Sequence, residues 1–260
     1  MNLSLPLFSR GVRTGALGVL ALLVGCGGDL ESETVALAGL ADRALTYSLT
    51  DADLFEGVEP AGSHRFTVTF SLAEDGRCTR LAEGVTATFN GEPMRLEVGG
   101  VDGTAGRDVC VPTRAFLDFD PNVWGEQPVE DARVVLQDAS HTVSLVLQGG
   151  KAKRYFSFES AGEADRLTRG QSYSYRWQPD GEVPGPVTAT LLREGGTAAA
   201  TLPITQDAGL VTLTVPASTP VASHLLTLSG SAPGTVLECT GVASCGGTLF
   251  HSEEVVVAVQ

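Results

Sequence analysis

Basic residues are scarce in this 260-residue chain: 17 Lys and Arg stand against 31 Asp and Glu, a formal net charge of −14. A surface this acidic repels phosphate backbones, which excludes nucleic acid as a partner. Methionine is limited to 2 residues, while Gly reaches 31 and Pro 13. With Val, Thr and Leu spread throughout, this composition suits short strands and turns, and no helical periodicity stands out beyond the first 25 residues. No apolar run approaches the roughly 20 residues of a membrane-spanning helix. Also missing are the Gly-x-Ser-x-Gly elbow, the His-x-His and His-Glu-x-x-His pairs and the Cys-x-x-Cys pair, which excludes the common serine-hydrolase and zinc signatures. Gly170-Gln171-Ser172 comes nearest to an elbow, but Ser172 falls on a predicted strand face. His64, His141, His224 and His251 are far apart in sequence and are expected at strand edges or turns, facing solvent.

What the chain does have begins at its N-terminus. Arg10 and Arg13 precede the apolar run Ala16 to Leu22, which ends on Leu23-Val24-Gly25-Cys26. A basic start, a short apolar middle and small residues before a cleavage point are the parts of a secretory signal. Ending on cysteine, the stretch resembles the lipobox of bacterial lipoproteins. The resemblance implies that residues 1–25 are a signal peptide that is removed, that Cys26 carries two or three acyl chains of the palmitate kind, and that the protein is lipid-anchored in the cell envelope. Gly27, where an inner-membrane retention signal would place Asp, points to the outer membrane. Each buried methylene contributes about 0.8 kcal/mol, so several chains hold where one would be marginal. Without the signal peptide the balance is 15 basic against 31 acidic residues, a net charge of −16. Residues 26–41 lack a pattern and are expected to form a lipidated tether reaching about 20 Å as a coil.

With Cys26 assigned to lipid, Cys78, Cys110, Cys239 and Cys245 remain, an even number in an exported chain. Three connectivities are open, and nearest-neighbour pairing is the one compatible with two separate domains. Cys78 to Cys110 closes a loop stabilised by about 3 to 4 kcal/mol in the chain-entropy model, and Cys239 to Cys245 one stabilised by about 2 to 2.5 kcal/mol.

Strand signals recur from Leu45 onward, and the expected class is all-β. Phe66, Val68, Phe70 and Leu72 alternate with Arg65, Thr67, Thr69 and Ser71, a half-buried strand. Val85, Ala87 and Phe89 lead into Asn90-Gly91, a strong hairpin dipeptide. In the second half Tyr173, Tyr175 and Trp177 alternate with Ser172, Ser174 and Arg176. With Pro186-Val187-x-Ala189-x-Leu191 and Leu225-x-x-Leu228, this strand is similar to those of bacterial immunoglobulin-like domains, which implies a two-sheet sandwich and nothing about a ligand. The composition turns polar near Ser160 to Arg169. The expected organisation is therefore two tandem immunoglobulin-like sandwiches, residues 42–160 and 161–260, each with one disulfide.

Carboxylate clusters are the one chemistry that the residue counts allow. Asp118, Asp120 and Asn122 stand at alternate positions entering a loop, where their oxygens would converge on a hard cation such as calcium, with Glu126 as a further ligand. The competing reading is a solvated acidic turn, which applies equally to Asp51, Asp53 and Glu56. Trp124, in a loop with Pro121 and Pro128, suits either a ligand platform or the end of a sandwich core. No metal or other cofactor is expected. The sequence reads as a non-catalytic interaction, adhesion or scaffolding lipoprotein, with the membrane and an envelope protein or glycan as partners. The alternatives are an envelope hydrolase or carbohydrate-binding protein, and a calcium-dependent adhesin.

Overall fold

The computed structural model describes residues 30–54, 64–104, 107–120, 124 and 129–260. The strands of the first half are β1 (Ser32–Val35), β2 (Ala44–Asp53), β3 (His64–Phe70), β4 (Cys78–Leu81), β5 (Thr86–Phe89), β6 (Glu92–Pro93), β7 (Arg95–Glu97), β8 (Gly100–Asp102), β9 (Val109–Val111), β10 (Arg114–Asp118), β11 (Ala132–Gln137) and β12 (Thr142–Leu147). Those of the second half are β13 (Tyr155–Phe158), β14 (Arg166–Leu167), β15 (Ser172–Gln178), β16 (Thr188–Arg193), β17 (Ala199–Thr201), β18 (Ile204–Asp207), β19 (Leu210–Thr214), β20 (Ala222–Ala232), β21 (Val236–Thr240) and β22 (Ser244–Val259). The chain is all-β, as its composition predicts.

The expected alternation is present as far as Phe70, where β3 ends and beyond which Leu72 is exposed, and it sets the faces. On β3, His64, Phe66, Val68 and Phe70 are buried and the residues between them half-buried. Asn90 and Gly91 both have positive φ, the conformation a tight two-residue hairpin needs. The returning strand then divides: β6 pairs with β5, whereas β7 pairs with β10 in another sheet.

One nine-stranded sheet runs β17-β16-β20-β22-β2-β3-β10-β7, with β14 beside the end of β22. The five-stranded sheet β21-β12-β11-β5-β6 and the four-stranded sheet β13-β15-β19-β18 pack against it. Leu45, Tyr47, Leu49 and Leu249 from the large sheet join Val134, Leu136 and Leu145 in a first core. Leu226, Leu228, Val257 and Val259 join Tyr175, Trp177 and Leu213 in a second. Because Leu49 pairs with Leu249, and Ala232 also pairs with Leu249, the buried rows of β2, β22 and β20 share one pleat face. The molecule is thus two sandwiches placed end to end on one continuous sheet.

The boundary between them differs from the sequence expectation. β22 pairs in parallel with β2 over residues 244–253 and antiparallel with β20 over residues 249–259. Its first part completes the first sandwich and its last part the second. β21 likewise pairs with β12 of the first sandwich. The second sandwich is therefore inserted between β12 and β21, and the chain crosses between the units at residues 148–154, at 233–235 and within β22 itself. A division at 160/161 does not separate them.

Residues 160–169 are not a linker. Leu167 is fully buried, the Ala258 N–H donates to the Asp165 carbonyl and the Gln260 N–H to that of Leu167. Nor is the described part of residues 26–41 a free tether. β1 pairs in parallel with β4, and Leu37 and Leu40, on a 3-10 turn, are buried in the first core.

The nearest-neighbour disulfides form, but both lie in the first sandwich. Cys78 on β4 joins Cys110 on β9, with a Cα separation of 5.1 Å. Cys239 on β21 joins Cys245 on β22, with a Cα separation of 5.9 Å, tying the five-stranded sheet to the nine-stranded one. The expectation of one disulfide per sandwich is corrected for the same reason as the boundary: β21 and the start of β22 belong with β12 and β2.

Candidate functional site

Where the two cores meet, the shared sheet carries charge. The buried row of β2 continues from Leu45, Tyr47 and Leu49 into Asp51, that of β3 ends on His64, and that of β22 passes from Leu249 to His251 and Glu253. Cross-strand register sets His64 against Asp51, Asp51 against His251, and His251 against Gly230. The strands thus present one line of side chains, His64, Asp51 and His251, across three neighbouring strands. A Cβ at Gly230 would stand 2.9 Å from Cζ3 of Trp177, so the glycine leaves room for the indole of the second core.

The polar atoms meet at hydrogen-bond distance. Asp51 Oδ1 is 2.7 Å from His64 Nδ1, and Asp51 Oδ2 is 3.1 Å from His251 Nδ1. His251 Nε2 lies 3.2 Å from Glu253 Oε2, which also accepts the Phe156 N–H of β13 at 3.1 Å. Lys153, from the first crossing, donates to both oxygens of Asp53 at 3.1 and 2.9 Å and stands 3.4 Å from Asp51 Oδ2. Its neighbour Arg154, which unlike half-buried Lys153 is fully buried, makes a two-pronged contact with Glu182 at 3.0 and 2.8 Å, and the Trp177 indole N–H donates to the same carboxylate at 2.8 Å. Every crossing segment except 233–235 contributes a charged residue to this junction.

Both ring nitrogens of His251 face carboxylates, an arrangement only the imidazolium satisfies at both sides. Burial pushes the His251 pKa down, but the hydrogen bonds and charges of Asp51 and Glu253 outweigh it and raise the pKa above 6.5. Burial likewise pushes Asp51 up, and the His251 hydrogen bond, the Lys153 charge and the His64 hydrogen bond bring it below 3.8. For Lys153, desolvation is outweighed by Asp53 and Asp51, and the ammonium is held above its ordinary value.

These directions give the junction a pH window. A proton held more tightly by His251 in the folded state stabilises the fold fully below 6.5, and that contribution is lost as pH rises through the folded value. The Asp51 contribution is present above 3.8 and lost as pH falls through its own folded value. Chemical denaturation is therefore expected to give a larger unfolding free energy at pH 5.5 than at pH 8.5, with the difference reduced in His251→Gln. An equal difference in that variant would place the pH dependence elsewhere.

A His–Asp–His–Glu line has the parts of a proton relay, but its centre is closed. His251 is 0% exposed and Asp51 2%, and their polar atoms are occupied by one another and by Lys153 and Glu253. Donor atoms of Asp51, Asp53 and His64 lie within 4.8 Å of one another, a spacing that also suits a metal ion. The Lys153 ammonium stands against both carboxylates and supplies the positive charge there. The chemistry favoured by this arrangement is cohesion between the two sandwiches.

The residues singled out from sequence fall elsewhere. Both oxygens of Asp118 accept from Arg65, at 2.6 and 3.0 Å. Asp120 accepts the Trp124 N–H through its carbonyl, while Asn122 and Glu126 lie outside the described residues. The Asp118 charge is offset by Arg65. Trp124 is no exposed platform. It is 5% exposed and stacks on Phe119 and Phe89, with centroids 3.9 and 4.9 Å away. Asp51 and Asp53 belong to a strand rather than an acidic loop, and Glu56 lies outside the described residues. His64, His224 and His251 are buried rather than solvent-facing. Cys26 and the rest of the lipobox lie outside the described residues.

No family model and no curated protein matches the sequence. Among solved structures, the chain is similar to the titin domains Z1Z2 in complex with telethonin, at 11% identity and a TM-score of 0.20, covering 89% of this chain and 94% of that one. It is also similar to the titin Ig tandem A164-A165, at 9% identity and a TM-score of 0.21, covering 85% and 93%. A third likeness is to a Bacteroides ovatus mixed-linkage glucan utilization locus protein, SGBP-B, in complex with a heptasaccharide, at 13% identity and a TM-score of 0.20, covering 74% and 53%. The chain's own sheets and cores define its class: all-β, two sandwiches on one shared sheet.

Proposed function

We propose that this protein is a lipid-anchored component of the bacterial cell envelope, held in the outer membrane through Cys26, with a non-catalytic interaction, adhesion or scaffolding role. The lipobox-like Leu23-Val24-Gly25-Cys26 supports the anchor. The observation that carries the role is β22, which runs through both sandwiches and makes one body of them. Two sandwiches joined only by a linker would move independently, as is the default for domains in tandem. A shared central strand and a buried ionic junction favour instead a stiff body that holds its end loops at fixed separation. Loops on a rigid scaffold are where binding surfaces are usually built, and an envelope protein or glycan is the partner class this reading assigns. The closed junction gives the hydrolase alternative no exposed acid–base pair.

Replacing Cys26 tests the reading. Cys26→Ala is expected to abolish acyl labelling, accumulate uncleaved precursor and remove the mature form from the membrane fraction. In cells lacking the wild-type copy, it is expected to reproduce whatever envelope defect the full deletion causes. Normal membrane recovery of the mature variant would defeat the anchored reading, and full complementation by an unanchored secreted body would defeat the need for anchoring.

A further inference from the structure

Resting on the lipid-anchor reading, we infer that the protein stands end-on, with the β8–β9 tip of the first sandwich against the bilayer and the second sandwich pointing away. The argument begins at residue 30. Three residues separate Cys26 from Leu30, and a fully extended chain spans at most about 14 Å between their α-carbons. Leu30 is already bound to the body, its N–H 3.4 Å from Asp108 Oδ2, and two residues on Ser32 Oγ accepts the Val101 N–H at 2.8 Å. The anchor therefore leaves the body where the β8–β9 ribbon is, and that ribbon is held close to the headgroups.

Register then fixes which pole this is. β7 and β10 pair with Glu97 against Arg114, and the two chains continue as β8 and β9, with Gly100 against Val111 and Asp102 against Val109. The ribbon is thus the outer part of one long hairpin whose described end, Gly103 and Thr104 on one side and Arg107 and Asp108 on the other, lies beyond the end of the large sheet marked by Thr69 and Arg114. Ala44, Phe70 and Ser244 lie at that same end, because Ala44 pairs with Ser244 and Leu45 with Phe70. Exposed Leu72 follows there, beside Ala44 and Ser244, and exposed Leu30 is at the ribbon. Asp51, His64 and Glu253 are at the opposite end of the first sandwich, and the second sandwich continues beyond them.

β22 measures the reach. Its sixteen residues run from the membrane pole to the far pole, about 50 Å at the usual rise of a strand. At the far pole Val259 pairs with Ala222 and with Leu167, Ser172 pairs with Thr214, and the Val215 N–H donates to the Gln171 carbonyl. The turns 168–171 and 216–221 are therefore gathered around the C-terminus, at the end most distant from Leu30. A partner reached across the envelope meets these turns rather than the disulfide-bearing sandwich.

Energy transfer from single fluorophores on the natively lipidated protein tests the orientation. Mass spectrometry first establishes acylation of Cys26. Donors are then placed at Thr104→Cys in the ribbon tip or Ser218→Cys in the far turn, and the protein is inserted in phosphatidylcholine vesicles containing acceptor-labelled lipid. Transfer from position 104 is expected to exceed that from position 218 several-fold. Equal transfer from an acylated protein would show a body lying flat, and greater transfer from 218 an inverted one; either overturns the inference and leaves the anchor standing. An unacylated Cys26 overturns both, and the mass spectrum identifies that case.

Discussion

The fragment 30–160 is expected not to fold, although it contains every strand from β1 to β13. Without β22, β2 loses a ladder ten residues long, Ala44 to Asp53, and the first core loses Leu249. The four-stranded and nine-stranded sheets are cut as well. At about 0.5 to 1.5 kcal/mol net per hydrogen bond and about 1.5 to 3 kcal/mol for a buried leucine, the loss is comparable to the whole 5 to 15 kcal/mol of a typical domain. The fragment 155–260 is expected to behave differently. It keeps β13 to β20 with the part of β22 that they need, a contiguous chain around the second core. Urea denaturation followed by circular dichroism should show a cooperative transition for 155–260 and none for 30–160. A transition for 30–160 near that of the whole protein would mean that β22 is dispensable to the first sandwich.

Asp51→Ala is expected to destabilise the protein by about 3 to 5 kcal/mol, the range for breaking a buried ion pair by removing one partner. The carboxylate lies between His64 and His251 and near the Lys153 ammonium, so its removal leaves buried positive charge without its counter-charge. The loss should be greater at pH 5.5 than at pH 8.5, because the His251 imidazolium is then fully formed. Combining Asp51→Asn with His251→Gln should cost less than the sum of the two single changes, since residues in one network couple. Strict additivity, measured by the same denaturation, would show that Asp51 and His251 act independently and would remove the junction as a unit.

Much of the secondary structure was legible because alternation is a local signal. Phe66, Val68 and Phe70 of β3 and Tyr175 and Trp177 of β15 take the buried phase that their alternation indicates. The candidate site was not, although a trace of it was present. Asp51 keeps the phase of Leu45, Tyr47 and Leu49, His64 that of Phe66 and Val68, and His251 that of Leu249. Charged residues in an apolar phase end a strand under ordinary reading, since burial without a partner is costly. Here the partners come from strands 13 and 200 residues away in sequence. β22 was concealed in a similar way: its first third, with Cys245, Gly246 and Gly247, has the composition of a loop, and a Cβ at Gly247 would overlap the Tyr47 carbonyl of its neighbour.

From its sequence alone the chain determined its class, the faces of its strands and its acidic charge balance. Those are properties of composition and of a two-residue period, and both are local. Tertiary structure alone decided that one strand serves both sandwiches, that both disulfides lie on one side of the junction, and that the charged residues meet inside it. The physical reason is that alternation specifies which face of a strand is buried but not which strand lies beside it. Pairing is settled by the whole chain, and burial of the Asp51 row becomes tolerable only once that pairing has brought the opposite charges together.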